Sequence, residues 1–158
     1  MKKKMVLSVF SVIFLVLILK RIGREGKKLI ATECHEEFWR WLCGVWDEYA
    51  SLDSYIRDQR TFGNRVWHEG IDRHLIGLFH ELNHYPASAD LGFGKEFENK
   101  CFDLRTKALL QWAEIKKLVL SGERDGLFVH SRELGDLLTQ LNKLGAKMRE
   151  ERFRKGVV

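Results

Sequence analysis

The sequence predicts an all-α protein with a single N-terminal transmembrane helix followed by an antiparallel four-helix bundle. Three observations carry this prediction. Apolar residues recur with helical periodicity along residues 29–158, no stretch alternates strictly as a half-buried strand does, and residues 5–19 form an uncharged hydrophobic run. We therefore divide the chain into a membrane anchor over residues 1–28 and a bundle domain over residues 29–158.

The predicted anchor runs from Met5 to Leu19 and contains two serines and no charged residue. A helix of this length reaches about 22 Å, less than the roughly 30 Å of hydrocarbon in a bilayer. Flanking basic side chains can snorkel and the bilayer can thin locally, so the difference is tolerable. Basic residues follow the run, and the first alanine after it is Ala31, too late for a cleavage site. We expect an uncleaved anchor that contacts membrane lipid.

The flanks of the anchor predict its orientation. Three lysines precede the hydrophobic run, and five lysines or arginines follow it within residues 20–28. The larger positive charge after the run favours a cytoplasmic bundle domain at the inner (plasma) membrane of a bacterial cell. Three cysteines, Cys34, Cys43 and Cys101, cannot all pair within one chain, which fits a reducing compartment.

Charge is distributed unevenly along the chain. Residues 1–28 hold eight basic residues and one acidic residue, whereas residues 29–142 hold 13 basic and 19 acidic residues. The C-terminal helix end and tail, residues 143–158, hold six basic and two acidic residues. A nucleic-acid-binding domain would carry positive charge on its folded surface, so we expect no nucleic-acid partner. The two basic ends suit anionic lipid headgroups, and the C-terminal one equally suits a helix dipole.

The first predicted helix covers Leu29–Leu52, and a shorter helical piece covers Asp53–Phe62 and ends near Gly63. The apolar residues of the first helix fall within one arc of the helical wheel. They are Ala31, Cys34, Phe38, Trp41, Leu42, Val45, Tyr49 and Leu52.

The second helix is predicted from Asn64, a favourable N-cap, to Tyr85, where Pro86 prevents continuation. Its apolar arc consists of Trp67, Ile71, Leu75, Leu78 and Leu82. The residues from Pro86 to Gly94 form the one long loop that the composition predicts.

The third helix is predicted over Lys95–Leu120, with a tight connection from Ser121 to Gly126, and Ser131 is predicted to cap the last helix. Apolar arcs in these two helices comprise Phe97, Cys101, Leu104, Ala108, Trp112, Ile115, Leu118 and Val119, then Leu134, Leu137, Leu138, Leu141, Leu144 and Met148. Helices of about twenty residues with short connections are typical of an up-and-down bundle.

One short motif carries recognisable chemistry. Residues 80–84 read His80-Glu81-Leu82-Asn83-His84, which matches the HExxH pattern. This segment resembles the metal-binding helix of zincin metallopeptidases. The resemblance implies that His80 and His84 bind zinc and that Glu81 acts as the general base toward the metal-bound water. It covers five residues of the chain.

The helical wheel offers a second interpretation of this motif. His80 and His84 point away from the apolar arc of their helix, as histidines on a solvated face would, and such a pair can also bind a structural or adventitious metal. The sequence supplies no fixed third ligand. Candidates lie only in the next helix, at Glu96, Glu98 and Asp103.

Cysteines and aromatic residues outside the motif predict packing and contact surfaces. Cys34 and Cys101 fall within apolar arcs and are expected to be packed thiols, whereas Cys43 lies on a polar side and is expected to be the reactive one. Trp39 lies off the apolar arc, and with Phe102 and Leu109 it indicates either packing at the core or its edge or a further contact surface.

Two functions follow from these observations. The first is a membrane-anchored helical bundle without enzymatic activity, which acts by protein–protein contact or self-association in a sensory, immunity, exclusion or assembly role and needs no cofactor. The alternative is a small membrane-anchored zinc metallopeptidase that uses Glu81 with His80 and His84.

Overall fold

The structure, a computed structural model, describes residues 36–58, 64–86 and 94–154, with the side chains of residues 64–68 and 152 left aside. The predicted anchor and its cleavage or retention concern residues outside these ranges. Among the helices within the described ranges, none combines the length and apolarity that crossing a bilayer requires.

Four helices make up nearly all of the described chain. α1 is described over residues 36–57, and α2, α3 and α4 span Asn64–Asn83, Lys95–Ser121 and Leu127–Arg154. The described ranges contain no strand, so the all-α prediction is confirmed for them. α3 matches its predicted bounds closely, and it ends where Gly122 adopts a left-handed conformation, with φ of 74°.

Contacts of α1 show that it runs antiparallel to both α2 and α4. Near the start of α1, the Trp41 indole N–H donates to the carbonyl oxygen of Glu81 at 2.7 Å, at the end of α2. Further along α1, the Tyr49 hydroxyl donates to the carbonyl oxygen of Ser131 at 3.1 Å, near the start of α4.

α3 completes the bundle by packing between α2 and α4. The Trp112 indole N–H donates to the carbonyl oxygen of Leu75 at 2.7 Å, and His130 Nδ1 lies 2.7 Å from Gln111 Oε1. Each consecutive pair of helices is therefore antiparallel, as in an up-and-down bundle.

The apolar arcs of all four helices meet in one core. The buried side chains that the sequence placed in those arcs are Phe38, Trp41, Leu42, Val45, Tyr49, Leu52, Ile71, Leu75, Leu78, Leu82, Phe97, Cys101, Ala108, Ile115, Val119, Leu134, Leu138, Leu141 and Met148. Leu104, Trp112, Leu118, Leu137 and Leu144 pack against them while half-buried. Periodicity thus identified every residue of this core except Ile56 and Leu127.

The predicted break between Leu52 and Asp53 is wrong, because α1 continues without interruption through residue 57. Ile56 is fully buried and extends the apolar arc by one more turn. The Asp53 carboxylate does not end the helix, since its Oδ2 atom pairs with Arg57 Nε at 2.6 Å and its Oδ1 atom accepts the Ser131 hydroxyl at 2.7 Å.

The prediction that Ser131 caps the last helix is also wrong. α4 begins at Leu127, a fully buried residue, and Ser131 lies inside the helix with 1% of its surface exposed. Its hydroxyl satisfies a carboxylate of α1 instead of a free backbone N–H. A serine in a helical pattern is therefore ambiguous, since the same side chain can cap a helix or bridge to a neighbour.

Glycines on α4 allow α1 to approach closely. A Cβ atom added to Gly135 would collide with the Tyr49 hydroxyl, and one added to Gly145 would lie 2.6 Å from the Phe38 ring. The aromatic side chains of α1 therefore occupy the space that a side chain at either glycine would fill.

The same arrangement recurs between α1 and α2. Tyr55 of α1 occupies the position beside Gly70, and a Cβ atom at Gly77 would lie 2.5 Å from the Glu48 carboxyl carbon. In the opposite direction, a Cβ atom at Gly44 of α1 would lie 2.8 Å from Glu81 Oε2. Five helical glycines thus lie where two helices approach closely, namely Gly44, Gly70, Gly77, Gly135 and Gly145.

We predict that Gly135→Ala lowers the free energy of unfolding by about 1–2 kcal/mol. Alanine favours helix by about 1 kcal/mol, but overpacking a filled site costs about 1–3 kcal/mol, and the Tyr49 ring cannot retreat from the core. Denaturant titration of the full chain in detergent measures the change. In a Tyr49→Phe background the loss should be smaller. A rise in stability for Gly135→Ala would contradict the close contact.

Candidate functional site

The HExxH segment lies at the C-terminal end of α2. His80 and Glu81 belong to the last helical turn, and His84 follows the final helical residue, Asn83. The His84 backbone N–H donates to the carbonyl oxygen of His80 at 3.0 Å, and His84 Nδ1 lies 2.8 Å from the same oxygen. The segment therefore caps a helix end, with both histidine rings exposed to solvent.

The two imidazole rings stack on each other instead of converging on one point. Their centroids are 3.7 Å apart and their planes are inclined by 27°. The lone pair of an imidazole nitrogen lies in the ring plane, so two nearly parallel rings do not direct their lone pairs at one ion. The contact of His84 Nδ1 with the His80 carbonyl leaves Nε2 of His84 available, so the stacking of the rings is what separates this pair from a metal site. This arrangement differs from that of a chelating histidine pair.

The Glu81 side chain is directed toward α1. Its half-buried carboxylate lies against Gly44 of α1, and its backbone carbonyl accepts the Trp41 indole N–H. A general base must reach a water molecule that the metal holds. In this conformation the Glu81 carboxylate occupies the contact between α1 and α2 instead.

Two of the three candidate third ligands form surface ion pairs, and the third, Glu98, is half-buried near the start of α3. Glu96 Oε1 pairs with Lys100 at 2.6 Å, which lowers the pKa of Glu96, and Asp103 Oδ2 pairs with Lys107 at 2.7 Å. Within residues 36–58, 64–86 and 94–154, no three His, Cys, Asp or Glu side chains are placed to hold a metal ion.

A shallow cleft lies beside the motif, between the start of α1 and the end of α2. Its volume is about 270 Å³, and its lining residues are Glu37, Arg40, Trp41, Glu81, His84 and Pro86. Carboxylates, a guanidinium and an imidazole meet here without a nucleophile or a buried charge. The cleft therefore presents mixed polar chemistry and no recognisable catalytic set.

Tyr85, Cys101 and Arg105 form a second cluster, between the end of α2 and the start of α3. The Arg105 guanidinium carbon lies 5.3 Å from the centre of the Tyr85 ring. Burial raises the pKa of the Tyr85 phenol, and burial also raises the pKa of the Cys101 thiol to about 12. The Tyr85 hydroxyl and Arg105 Nε make no regular hydrogen bond with described residues. A cation over an aromatic ring fits a packing role.

A polar seam between α1 and α2 was not anticipated from the sequence. His74 Nδ1 lies 2.9 Å from Glu48 Oε2, both side chains are half-buried, and the Tyr55 ring lies 5.4 Å from the His74 ring. The sequence feature that could have predicted this contact is the pair of glycines, Gly70 and Gly77, which lie seven residues apart on one side of α2. Glycine inside a helix indicates close approach of a neighbour.

Several exposed apolar side chains flank the contact between α2 and α3. The Phe79 and Trp112 rings are in contact, with centroids 4.6 Å apart and planes inclined by 33°, and Lys116 Nζ lies 5.0 Å from the centre of the Trp112 ring. Around them lie Ile76, which is 68% exposed, and Phe102, which is 63% exposed. We call this surface the α2–α3 face and define it by Ile76, Phe79, Phe102, Leu109, Trp112 and Leu120.

The predicted contact surface of Trp39, Phe102 and Leu109 is thus divided between two places. Phe102 and Leu109 lie on the α2–α3 face. Trp39 is half-buried on α1, against Phe38 and beside Gly145 of α4, so it packs between α1 and α4.

The chain matches no family model, and neither a curated protein nor a solved structure is detectably similar to it. Function is therefore inferred from the described side chains and their arrangement.

We predict that the full chain, exposed to zinc and then dialysed, retains far less than one zinc ion per chain. The reason is that the His80 and His84 rings stack and Glu81 faces α1. Elemental analysis by mass spectrometry, beside the double variant His80→Ala/His84→Ala, measures this. The double variant should change the free energy of unfolding by about 0.5 kcal/mol or less. One zinc ion per chain, lost in the variant, would revive the peptidase hypothesis.

Alkylation should separate the two described cysteines. Cys43 is exposed, as predicted, whereas Cys101 is 1% exposed. The thiolate is the nucleophile, and a pKa of about 12 leaves Cys101 with a thiolate fraction of about 10⁻⁴ at pH 8. We expect Cys43 to be modified at least about 100-fold faster, as measured by residue-resolved mass spectrometry. Denaturant should abolish the difference, and equal native rates would contradict the buried thiol.

Proposed function

We propose that this protein is a single-pass, membrane-anchored helical bundle that acts by protein–protein contact at the inner membrane. The observation that supports this function is the α2–α3 face, where Ile76, Phe102 and Leu120 expose 68%, 63% and 73% of their surfaces. Aromatic side chains lie beside them at Phe79 and Trp112. Contiguous exposed apolar surface of this kind marks interaction sites, and aromatic residues are enriched at interfaces.

The helical wheel supports treating these residues as one surface. Phe102, Leu109 and Leu120 fall within about 20° of one direction on α3, at 100° per residue. Ile76 and Phe79 occupy the neighbouring turns of α2, and Phe79 contacts Trp112 directly. A partner helix laid along the contact between α2 and α3 would cover all of these residues.

The course of the helices supports the proposed anchoring. Because α1 and α4 are antiparallel, the C-terminal end of α4 lies at the end of the bundle where α1 begins. Lys143, Lys147 and Arg149 are exposed there. These residues complement anionic headgroups if residues 5–19 hold that end of the bundle at a cytoplasmic membrane surface.

The zinc-peptidase alternative receives no support from the geometry of the described residues. The stacking of His80 on His84 and the contact of Glu81 with Gly44 both serve the end of α2.

Photo-crosslinking in native membranes tests the proposed function. We expect a photoreactive amino acid at position 76 or 102 of the full chain to give a discrete protein adduct, because both positions lie on the α2–α3 face. Leu110 is the matched control, since it is 62% exposed and lies on the same helix as Phe102 but on a different side. Gel mobility and mass spectrometry of the adduct measure the result.

Two further outcomes decide this proposal. Deleting residues 5–19 should release the chain from the membrane fraction and reduce the adduct, because anchoring concentrates both partners. Adducts that are absent at positions 76 and 102, or equally strong at position 110, would contradict a contact through the α2–α3 face.

A further inference from the structure

We infer that the partner covering the α2–α3 face is a second copy of this chain, related by a two-fold axis parallel to the helices. This inference rests on the proposed function and names its partner. In the resulting dimer, α2 of each copy packs on α3 of the other, and the two copies point in the same direction.

Complementary charge on the two helices carries the inference. Asp72 is exposed on α2, one turn below Ile76 and farther from the α1 start. Lys116 is exposed on α3. The antiparallel contact of Leu75 with Trp112 places Asp72 and Lys116 at the same height along the bundle.

Neither Asp72 nor Lys116 makes an ion pair with a described residue of its own copy. The Lys116 ammonium lies over the Trp112 ring. Arg73 is also exposed, but the helical wheel places it about 100° from Asp72, on the side of α2 away from α3. At this height the face therefore carries an acidic residue, Asp72, on its α2 side and a basic residue, Lys116, on its α3 side.

A two-fold axis parallel to the helices brings unlike charges together. It places α2 of one copy opposite α3 of its partner at equal height, so that Asp72 faces the partner copy's Lys116 and the reverse contact forms by symmetry. Above this layer, the same axis places Ile76 opposite Leu109 and Ala113. The face is thus self-complementary in charge and in apolar surface.

The antiparallel alternative makes poorer contacts. A two-fold axis perpendicular to the helices would place α2 on α2 and α3 on α3, with opposite directions. Centred on Ile76, it would bring Asp72 opposite His80 and Lys116 opposite Thr106. Lys116 of each copy would then lose its acidic partner. It would also place the two predicted anchors at opposite ends of the dimer.

The size of the face suits a dimer that a shared membrane helps to hold together. α2 has 20 residues and is about 30 Å long, and a neighbouring helix lies about 10 Å away, so the two together present roughly 30 by 20 Å, or about 600 Å². This area is smaller than the roughly 800 Å² that each partner buries in a standard interface. In the parallel dimer both predicted anchors enter the same membrane, which raises the effective concentration of one copy around the other.

A charge-swap pair tests this arrangement with full chains in lipid vesicles. Copies carry a donor or an acceptor fluorescent protein at the C-terminus, and Förster transfer reports pairing. Asp72→Lys alone and Lys116→Glu alone should each weaken self-pairing about tenfold, because each contact occurs twice in the dimer and becomes repulsive. An equal mixture of the two variants should regain the wild-type transfer, because every contact in the mixed dimer again joins unlike charges.

Lys107→Glu is the matched control, since Lys107 is exposed on α3 but lies on the side away from α2, and it should leave transfer unchanged. Absent transfer between wild-type copies would overturn the inference, as would transfer that the swaps do not alter. Failure of the mixture to recover would overturn the parallel arrangement. A crosslink from position 76 to a different protein, without self-transfer, would leave the proposed function intact and remove only the second copy as its partner.

Discussion

The close approach of α1 to its two neighbours is the constraint on which the rest of the bundle depends. Aromatic side chains of α1 fill the space above glycines of α4 and α2, as Tyr49 does at Gly135 and Tyr55 does at Gly70. A side chain at either glycine would force the helices apart, and the buried contacts from Phe38 to Ile56 would open. The glycines weaken their own helices by about 1 kcal/mol each, so packing against α1 must more than offset that loss.

The close approach of α1 to α2 also explains why polar groups near the HExxH segment contribute to helix packing. With α1 so close to α2, Glu48 and Glu81 have room only beside Gly77 and Gly44. Glu81 is therefore directed into the helix contact, while the exposed rings of His80 and His84 stack in solvent at the end of α2. α1 covers one side of α2 and α4 covers one side of α3, which leaves the outward sides of α2 and α3 for a partner.

Periodicity was sufficient to predict the helices and most of the core of the described residues, because burial follows the 3.6-residue repeat directly. It misplaced two boundaries, because the roles of Asp53 and Ser131 depend on a contact between distant residues: the Ser131 hydroxyl bonds to the Asp53 carboxylate instead of capping a helix. The HExxH pattern fixed the positions of His80, Glu81 and His84, but the direction of each side chain depends on Gly44, forty residues and one helix away. The exposure of Phe102 and Ile76 depends likewise on where α2 and α3 meet, which no local pattern encodes.

The most direct test of the central claim is a distance measured between two copies of the full chain in lipid vesicles. A spin label at position 76, on a chain with Cys34 and Cys43 replaced by alanine, reports that distance by double electron–electron resonance, with a label at position 110 for comparison. The parallel dimer predicts a narrow, short distance at position 76, within a few helix spacings of about 10 Å, and a longer one at position 110. No coupling between copies, or the same broad distribution at both positions, would contradict a dimer formed through the α2–α3 face.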